Sequence, residues 1–184
     1  SVARHFAEVK LSPKIMIGVK KSREIVDNFV KENKVVYGLT TGFGEFKNVV
    51  IPQDKTEKLQ ENLITSHAVG VGEPFPEEVV RAAMLIRANS LSQGHSGVRP
   101  IVIETLVEMI NKKIYPYVPC KGSVGSSGDL APLSHMILVL MGMGEAIVNG
   151  KRISGAKVMS DAKIAPLVLS YKEGLALNNG TAPM

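Results

Sequence analysis

The chain has no tryptophan and a single cysteine, and aromatic residues make up only 5% of its 184 positions. Each shortage excludes something. One thiol, Cys120, cannot form an internal disulfide, so no covalent staple is available and a reducing compartment fits. Cys120 is expected to be an incidental or buried thiol without a catalytic role. Sparse aromatics leave no row of stacking platforms for nucleic-acid bases. The net charge of +5 is spread over Lys20, Lys21 and Arg23, Lys112 and Lys113, and Lys151 and Arg152. That scatter reads as a solvated surface and not as a nucleic-acid footprint. The most apolar stretch, Met136 to Met143, is far short of the ~20 residues a bilayer requires. The N-terminus does not resemble a leader, so a cytoplasmic protein with no membrane partner is expected. His5, His67, His95 and His135 lack ligand-like spacing, and no metal site is expected.

What is present is the composition of a globular domain. Hydrophobic residues are 45% and charged residues 21% of the chain, and residues 1–184 read as a single domain. Ser12-Pro13 is a helix start, followed by apolar residues at helical period to about Asn33. Val35-Val36-Tyr37 reads as a short extended run. Asp54 with Glu57 resembles a capping box opening a helix over 55–66. Pro76 and Pro100 open helices that stop near Gly94 and Lys112. Tyr115 to Pro119 cannot be helical and runs extended. Asp129 heads an apolar helix to about Met143, Asn149-Gly150 marks a hairpin over 146–153, and 154–163 forms a short helix. The expected fold class is mainly α with short β elements and one small β-hairpin.

The most informative stretch is Gly122-Ser-Val-Gly-Ser-Ser-Gly-Asp-Leu-Ala-Pro-Leu-Ser-His135. Glycine and serine runs are usually linkers, but a linker does not run directly into an apolar helix. A phosphate-cradling loop fails on detail, because no Gly-Lys-Ser/Thr follows and the glycines are spaced by three. A third chemistry suits the pattern. The amide nitrogen of Gly128 can reach the carbonyl carbon of Ser126 if the chain bends tightly, and glycine removes the Cβ that would obstruct it. Loss of two waters, one carrying the Ser127 hydroxyl, leaves a five-membered imidazolone with an exposed methylene. Such a ring is an electrophile, which no ordinary side chain provides.

This stretch closely resembles the signature of the aromatic amino acid lyase family, the histidine and phenylalanine ammonia-lyases. Three further segments match in the family's order: Tyr37-Gly-Leu-Thr-Thr-Gly-Phe-Gly44, Leu59-Gln-Glu-Asn-Leu-Ile-Thr-Ser-His-Ala-Val-Gly-Val-Gly72 and Glu173-Gly-Leu-Ala-Leu-Asn-Asn-Gly-Thr181. The resemblance departs at Ser126, where alanine is most common in the family. That side chain stays outside the ring, so the chemistry is expected to survive. The chain is also much shorter than family members and looks like the N-terminal, electrophile-bearing portion, with the C-terminal helical part absent.

The resemblance implies roles for particular residues. Ser126, Ser127 and Gly128 form a 4-methylidene-imidazol-5-one (MIO) cofactor, with no metal. Tyr37, whose free pKa near 10 must be lowered for the task, is the catalytic base, on a glycine-flanked segment able to close over the site. Asn179 and the backbone of Leu130 serve the ring oxygen, where donors can act as an oxyanion hole; by sequence alone Asn179 reads equally as a helix or turn cap. His67 contacts the substrate side chain, and the Ser66-His67 pair resembles the histidine-specific members. His135 reads as a core or supporting residue. The implied reaction is deamination of L-histidine to urocanate and ammonia by a homotetramer. The alternatives are a lyase or 2,3-aminomutase for another aromatic amino acid, or an inactive fragment serving assembly or folding.

Overall fold

The computed structural model describes residues 1–42, 51–52 and 55–184. In chain order the elements are α1 (Val2–His5), α2 (Pro13–Lys31), α3 (Thr56–His67), β1 (Val71–Pro74), α4 (Glu77–Ser92), α5 (Pro100–Asn111), β2 (Tyr115–Pro116), β3 (Pro119–Lys121), α6 (Leu130–Leu140), β4 (Glu145–Val148), β5 (Lys151–Ser154), α7 (Gly155–Asp161) and α8 (Glu173–Asn178). The class is mainly α, as the sequence leads one to expect.

Helix starts follow the local chemistry. Pro13 and Pro100 occupy first-turn positions, behind Ser12 and Arg99 in extended backbone. Ser154 caps α7 by accepting from the Lys157 amide. The core lies where α4, α5 and α6 meet. Met84 and Leu91, Ile103, Leu106 and Met109, and Leu133, Ile137 and Leu140 are each less than 2% exposed. Two small antiparallel sheets flank it. β1 pairs with β3, with Val71 opposite Lys121 and Pro74 opposite Pro119. β2, β4 and β5 form the other, in that order. The hairpin turn places Asn149 and Gly150 at φ 50 and 73, both left-handed, as a two-residue primed turn demands.

Several sequence expectations are corrected. Val35-Val36-Tyr37 is not a strand: the chain turns over 37–40. Thr40 Oγ1 accepts from the Val36 amide and donates to Lys34 O, so a hydroxyl replaces a neighbouring strand. The N-cap of α3 is Lys55, without a side-chain cap bond; Asp54, the other half of the expected capping box, lies outside the described residues. Cys120 is exposed, because β3 turns it outward at the edge of a two-stranded sheet. The cations are not all solvated, since Arg23, Arg81 and Arg87 are buried. The helix after Asp129 ends at Leu140, before Gly142 at φ 73.

The polar centre of the fold is Glu173, at 0% exposure. Its Oε1 accepts from Arg99 N at 2.9 Å and Arg99 Nε at 2.8 Å, while Oε2 accepts from Arg99 Nη2 and Ser170 N, both at 2.7 Å. Arg23 Nη1 stands 3.6 Å from Oε1. One carboxylate thus ties α2, the start of α5 and the start of α8. A buried charge is tolerated only with such pairing. Glu173→Ala takes from Arg99 its carboxylate and leaves Arg23 with Asp27, and equilibrium denaturation of the variant is expected to show a loss of about 3–5 kcal/mol.

His135, on α6, anchors the turn after α3. Its Nε2 accepts from the Gly70 amide at 2.9 Å, so that nitrogen must be unprotonated, and burial lowers the imidazole pKa from its usual 6.5. The unfolded chain then binds the proton first as pH falls, so this contribution to stability is full above about pH 6.5 and shrinks below it. Thermal midpoints should drop between about pH 7 and pH 5, and His135→Gln should flatten that drop.

Candidate active site

The loop from Gly122 to Gly128 joins β3 to α6 and is fixed at both ends. At Gly122 an added Cβ would lie 2.8 Å from Gly70 Cα, so the loop passes backbone against backbone over the 68–70 turn. Asp129 is the N-cap residue of α6, but its carboxylate makes no cap bond. Instead Oδ1 accepts from Ser123 Oγ at 2.6 Å, and Ser123 Oγ accepts from the Gly125 amide at 3.3 Å. The Asp129 amide donates to Gly180 O at 2.7 Å.

Between these ties the chain bends sharply. Ser127 has φ 59 and Gly128 φ 108. A non-glycine residue in the left-handed region costs roughly 1 kcal/mol, and a residue with Cβ at 128 costs more. An added Cβ at 128 would stand 2.5 Å from Gly180 O and 2.7 Å from Gly180 N, which leaves no room for any other residue type.

Asn179 follows α8 as its C-cap, with φ −93 and ψ 105. Its side chain crosses to the loop, where Nδ2 donates to Ser127 O at 2.7 Å. Asn179 therefore stands at a helix end and binds the loop. Leu130, the first residue of α6, points its amide out of the helix end, where backbone N–H groups have no intrahelical partner.

Tyr37, His67, Ser127, Gly128, Leu130 and Asn179 line one cleft of about 730 Å3, together with Leu63, Leu175, Asn178, Gly180 and Thr181. Ser126 stands outside that wall with its side chain exposed. Tyr37 is 60% exposed and so is not a packed core aromatic. Phe43 and Gly44, the end of its glycine-flanked segment, lie outside the described residues. His67 ends α3, and its Nδ1 is 2.7 Å from Leu63 O and 3.2 Å from Ser66 Oγ. A carbonyl only accepts, so Nδ1 carries the proton in that contact, and the neutral ring keeps Nε2 as an acceptor. His67, Gly128 and Leu130 also border a second cavity of about 200 Å3, walled by Val69, Val124 and Ala131.

Sequence reasoning missed the support behind the cleft. Arg87, on α4, is 7% exposed and donates through Nη2 to Ala176 O and to Asn179 O, the latter at 2.9 Å. Burial lowers its pKa below the usual arginine range, and a guanidinium stays protonated in proteins. Gln60 Oε1 accepts from the Gly174 amide at 2.8 Å. A signal for Arg87 was available: it falls seven residues after Val80, three after Met84 and four before Leu91, on the buried face of its own helix. Among the described residues no cluster of histidine, cysteine or acidic side chains could hold a metal ion, and no helix is long and apolar enough to cross a membrane.

A family profile described as "Aromatic amino acid lyase" matches residues 1–184. The chain is 56% identical over 183 residues to the histidine ammonia-lyase of Alkaliphilus metalliredigens, and 59% identical over 183 residues to that of Caldanaerobacter subterraneus subsp. tengcongensis. Each alignment covers 100% of this chain and 36% of the relative, so the chain spans about a third of the length of these proteins. Among solved structures, the phenylalanine aminomutase of Pantoea agglomerans superposes with a TM-score of 0.93 at 41% identity, covering 99% of this chain and 35% of that one. With the whole sequence matched and the backbone superposed, the chain belongs to the aromatic amino acid lyase family.

Proposed function

We propose that residues 1–184 form the electrophile-bearing domain of a carbon–nitrogen lyase that converts L-histidine to urocanate and ammonia. What supports this most is the 2.7 Å hydrogen bond from Asn179 Nδ2 to Ser127 O, made beside a turn whose glycine has no room for a Cβ. The Ser126-Ser127-Gly128 turn fits an MIO ring. Two successive positive φ values bend the backbone there, and the oxygen that would become the ring carbonyl already has its donor. Ring closure joins Gly128 N to the Ser126 carbonyl carbon, and the Ser126 oxygen leaves as water with the amide hydrogens of Ser127 and Gly128. A second water takes the Ser127 hydroxyl and its α-proton. Once formed, the ring supplies an electrophile toward the substrate.

The remaining work falls to side chains of this chain. Asn179 donates to the residue 127 oxygen, and an amide does so whether that oxygen is neutral or anionic. The Leu130 amide, at the positive end of α6, serves the same region. Tyr37 takes the β-proton of the substrate as ammonia departs from the neighbouring carbon. His67, with Nδ1 committed to Leu63 O, offers Nε2 to a side chain that carries its own N–H donor. An imidazole has that donor and a phenyl ring does not. Exposed Val69, Val71 and Val124 beside the cleft suit coverage by further copies of the chain, consistent with a homotetrameric parent protein.

A 2,3-aminomutase shares the same parts, and the aminomutase fold superposes closely. The histidine ammonia-lyase relatives stand at higher identity, which favours net loss of ammonia. The two reactions differ in product, urocanate against a β-amino acid, and chromatography separates these.

Peptide mass measurement across 121–134 of the full-length protein is expected to show the segment two waters lighter than its sequence. Ser127→Ala should restore the full mass, keep the thermal midpoint and lower deamination at least about a thousandfold. Near-normal activity in that variant would remove the assignment. His67→Leu should lower the preference for histidine over phenylalanine by about tenfold or more in competition assays, and an unchanged ratio would remove the substrate but leave the family.

A further inference from the structure

We infer that Arg87 is a positioning residue: from α4 it grips the last turn of α8 and so aims Asn179 at the Ser127 carbonyl oxygen. The catalytic readout of this inference rests on the lyase reading above, while its geometry does not.

Arg87 differs from the other cations near α8. Arg23 and Arg99 share the carboxylate of Glu173. The hydrogen bonds of Arg87, among the described residues, go to two backbone carbonyls, Ala176 O and Asn179 O. Among the described residues its Nε is buried without a hydrogen-bond partner. A charge held in this way costs more to bury than a Met or Leu of similar volume, so core stability alone gives no reason for arginine here. Geometry does. The two carbonyls belong to the end of α8 and to its cap, where helical hydrogen bonding runs out. One guanidinium nitrogen reaches both. A lysine ammonium sits on a flexible stem and lacks the planar guanidinium that holds Nη2 in one place.

The end of α8 needs such a grip. The helix has six residues, too few to hold its own shape in water. At its start, Glu173 and the Gly174 amide are fixed by Arg99 and Gln60. At its end, Arg87 holds the Asn179 backbone on one side while the Asn179 side chain holds Ser127 O on the other. Gly180 comes next, and an added Cβ there would run into the Arg87 guanidinium. Without that grip, the last turn can drift, and Asn179 Nδ2 drifts with it. A displacement of about 1 Å is enough to cost roughly a hundredfold in rate.

The test is a double-mutant cycle in the full-length protein, combining Arg87→Lys with Asn179→Ala and reading kcat, KM and the mass of the 121–134 peptide. Arg87→Lys alone is expected to keep the two-water mass loss, hold KM within about twofold and lower kcat about tenfold to a hundredfold. In the Asn179→Ala background the same change should cost less than about twofold. An equal cost in both backgrounds overturns the inference, since Arg87 would then act on the fold and not through Asn179. Loss of the two-water signature in Arg87→Lys alone also overturns it, because the residue would then act on ring formation. If the unsubstituted protein lacks that signature, the lyase reading fails and crystal structures decide the inference. An Asn179 Nδ2 still bonded to the residue 127 oxygen in Arg87→Lys sinks it, and a displaced one supports it. Arg87→Gln, which keeps a planar donor, takes the same place in the cycle if the lysine variant does not fold.

Discussion

The site depends on a contact between two backbones, at Gly128 and Gly180. Both positions suit glycine: a Cβ on the first would meet the backbone of the second, and a Cβ on the second would displace the Arg87 guanidinium. The 2.7 Å bond from the Asp129 amide to Gly180 O fastens the two segments at this point. Because the segments touch without side chains between them, the short amide of Asn179 can reach Ser127 O. A bulkier residue at either position would push the donor out of range, and the loss is steep because hydrogen bonds weaken quickly with distance and angle.

Behind that contact stands a polar scaffold inside an otherwise apolar core. Glu173, Gln60 and Arg87 fix the beginning, flank and end of α8. Each buried group must find partners in the folded chain or destabilise it. Such a network therefore permits few arrangements of α8, whereas apolar packing alone tolerates sliding. The large apolar faces of α4, α5 and α6 make the domain stable, and the polar groups select where its short last helix sits.

The helices were legible in the sequence because their signals are local. Ser12-Pro13, Pro100 and the spacing of Val102, Ile103, Leu106 and Ile110 announce α2 and α5 without reference to the rest of the chain. Asn149-Gly150 did the same for the hairpin. The 37–40 turn was not legible: β-branched Val35 and Val36 favour a strand, and the local hydrogen bonds of the Thr40 hydroxyl to Val36 and Lys34 that compete with it leave no periodic pattern. The cleft residues could be named from motif order, but their convergence depends on contacts between distant segments. Arg87 and Arg23 were missed for a different reason. Charge was taken as a mark of solvent, although both lie on the apolar stripe of their helices, where burial with partners is the only stable outcome.

The choice of an amide at position 179 has a further physical reason. In the proposed reaction, a lysine or arginine there would place a second full charge beside Arg87, and like-charge repulsion with the cost of desolvation would oppose it. A neutral amide binds a carbonyl oxygen modestly and an oxyanion more strongly. Arg87 brings positive charge close, yet it is turned toward the backbone carbonyls of Ala176 and Asn179 and not toward Ser127 O. In the proposed reaction the two tasks are separate: the cation fixes position, and the neutral donor responds to charge as it appears on the oxygen of residue 127.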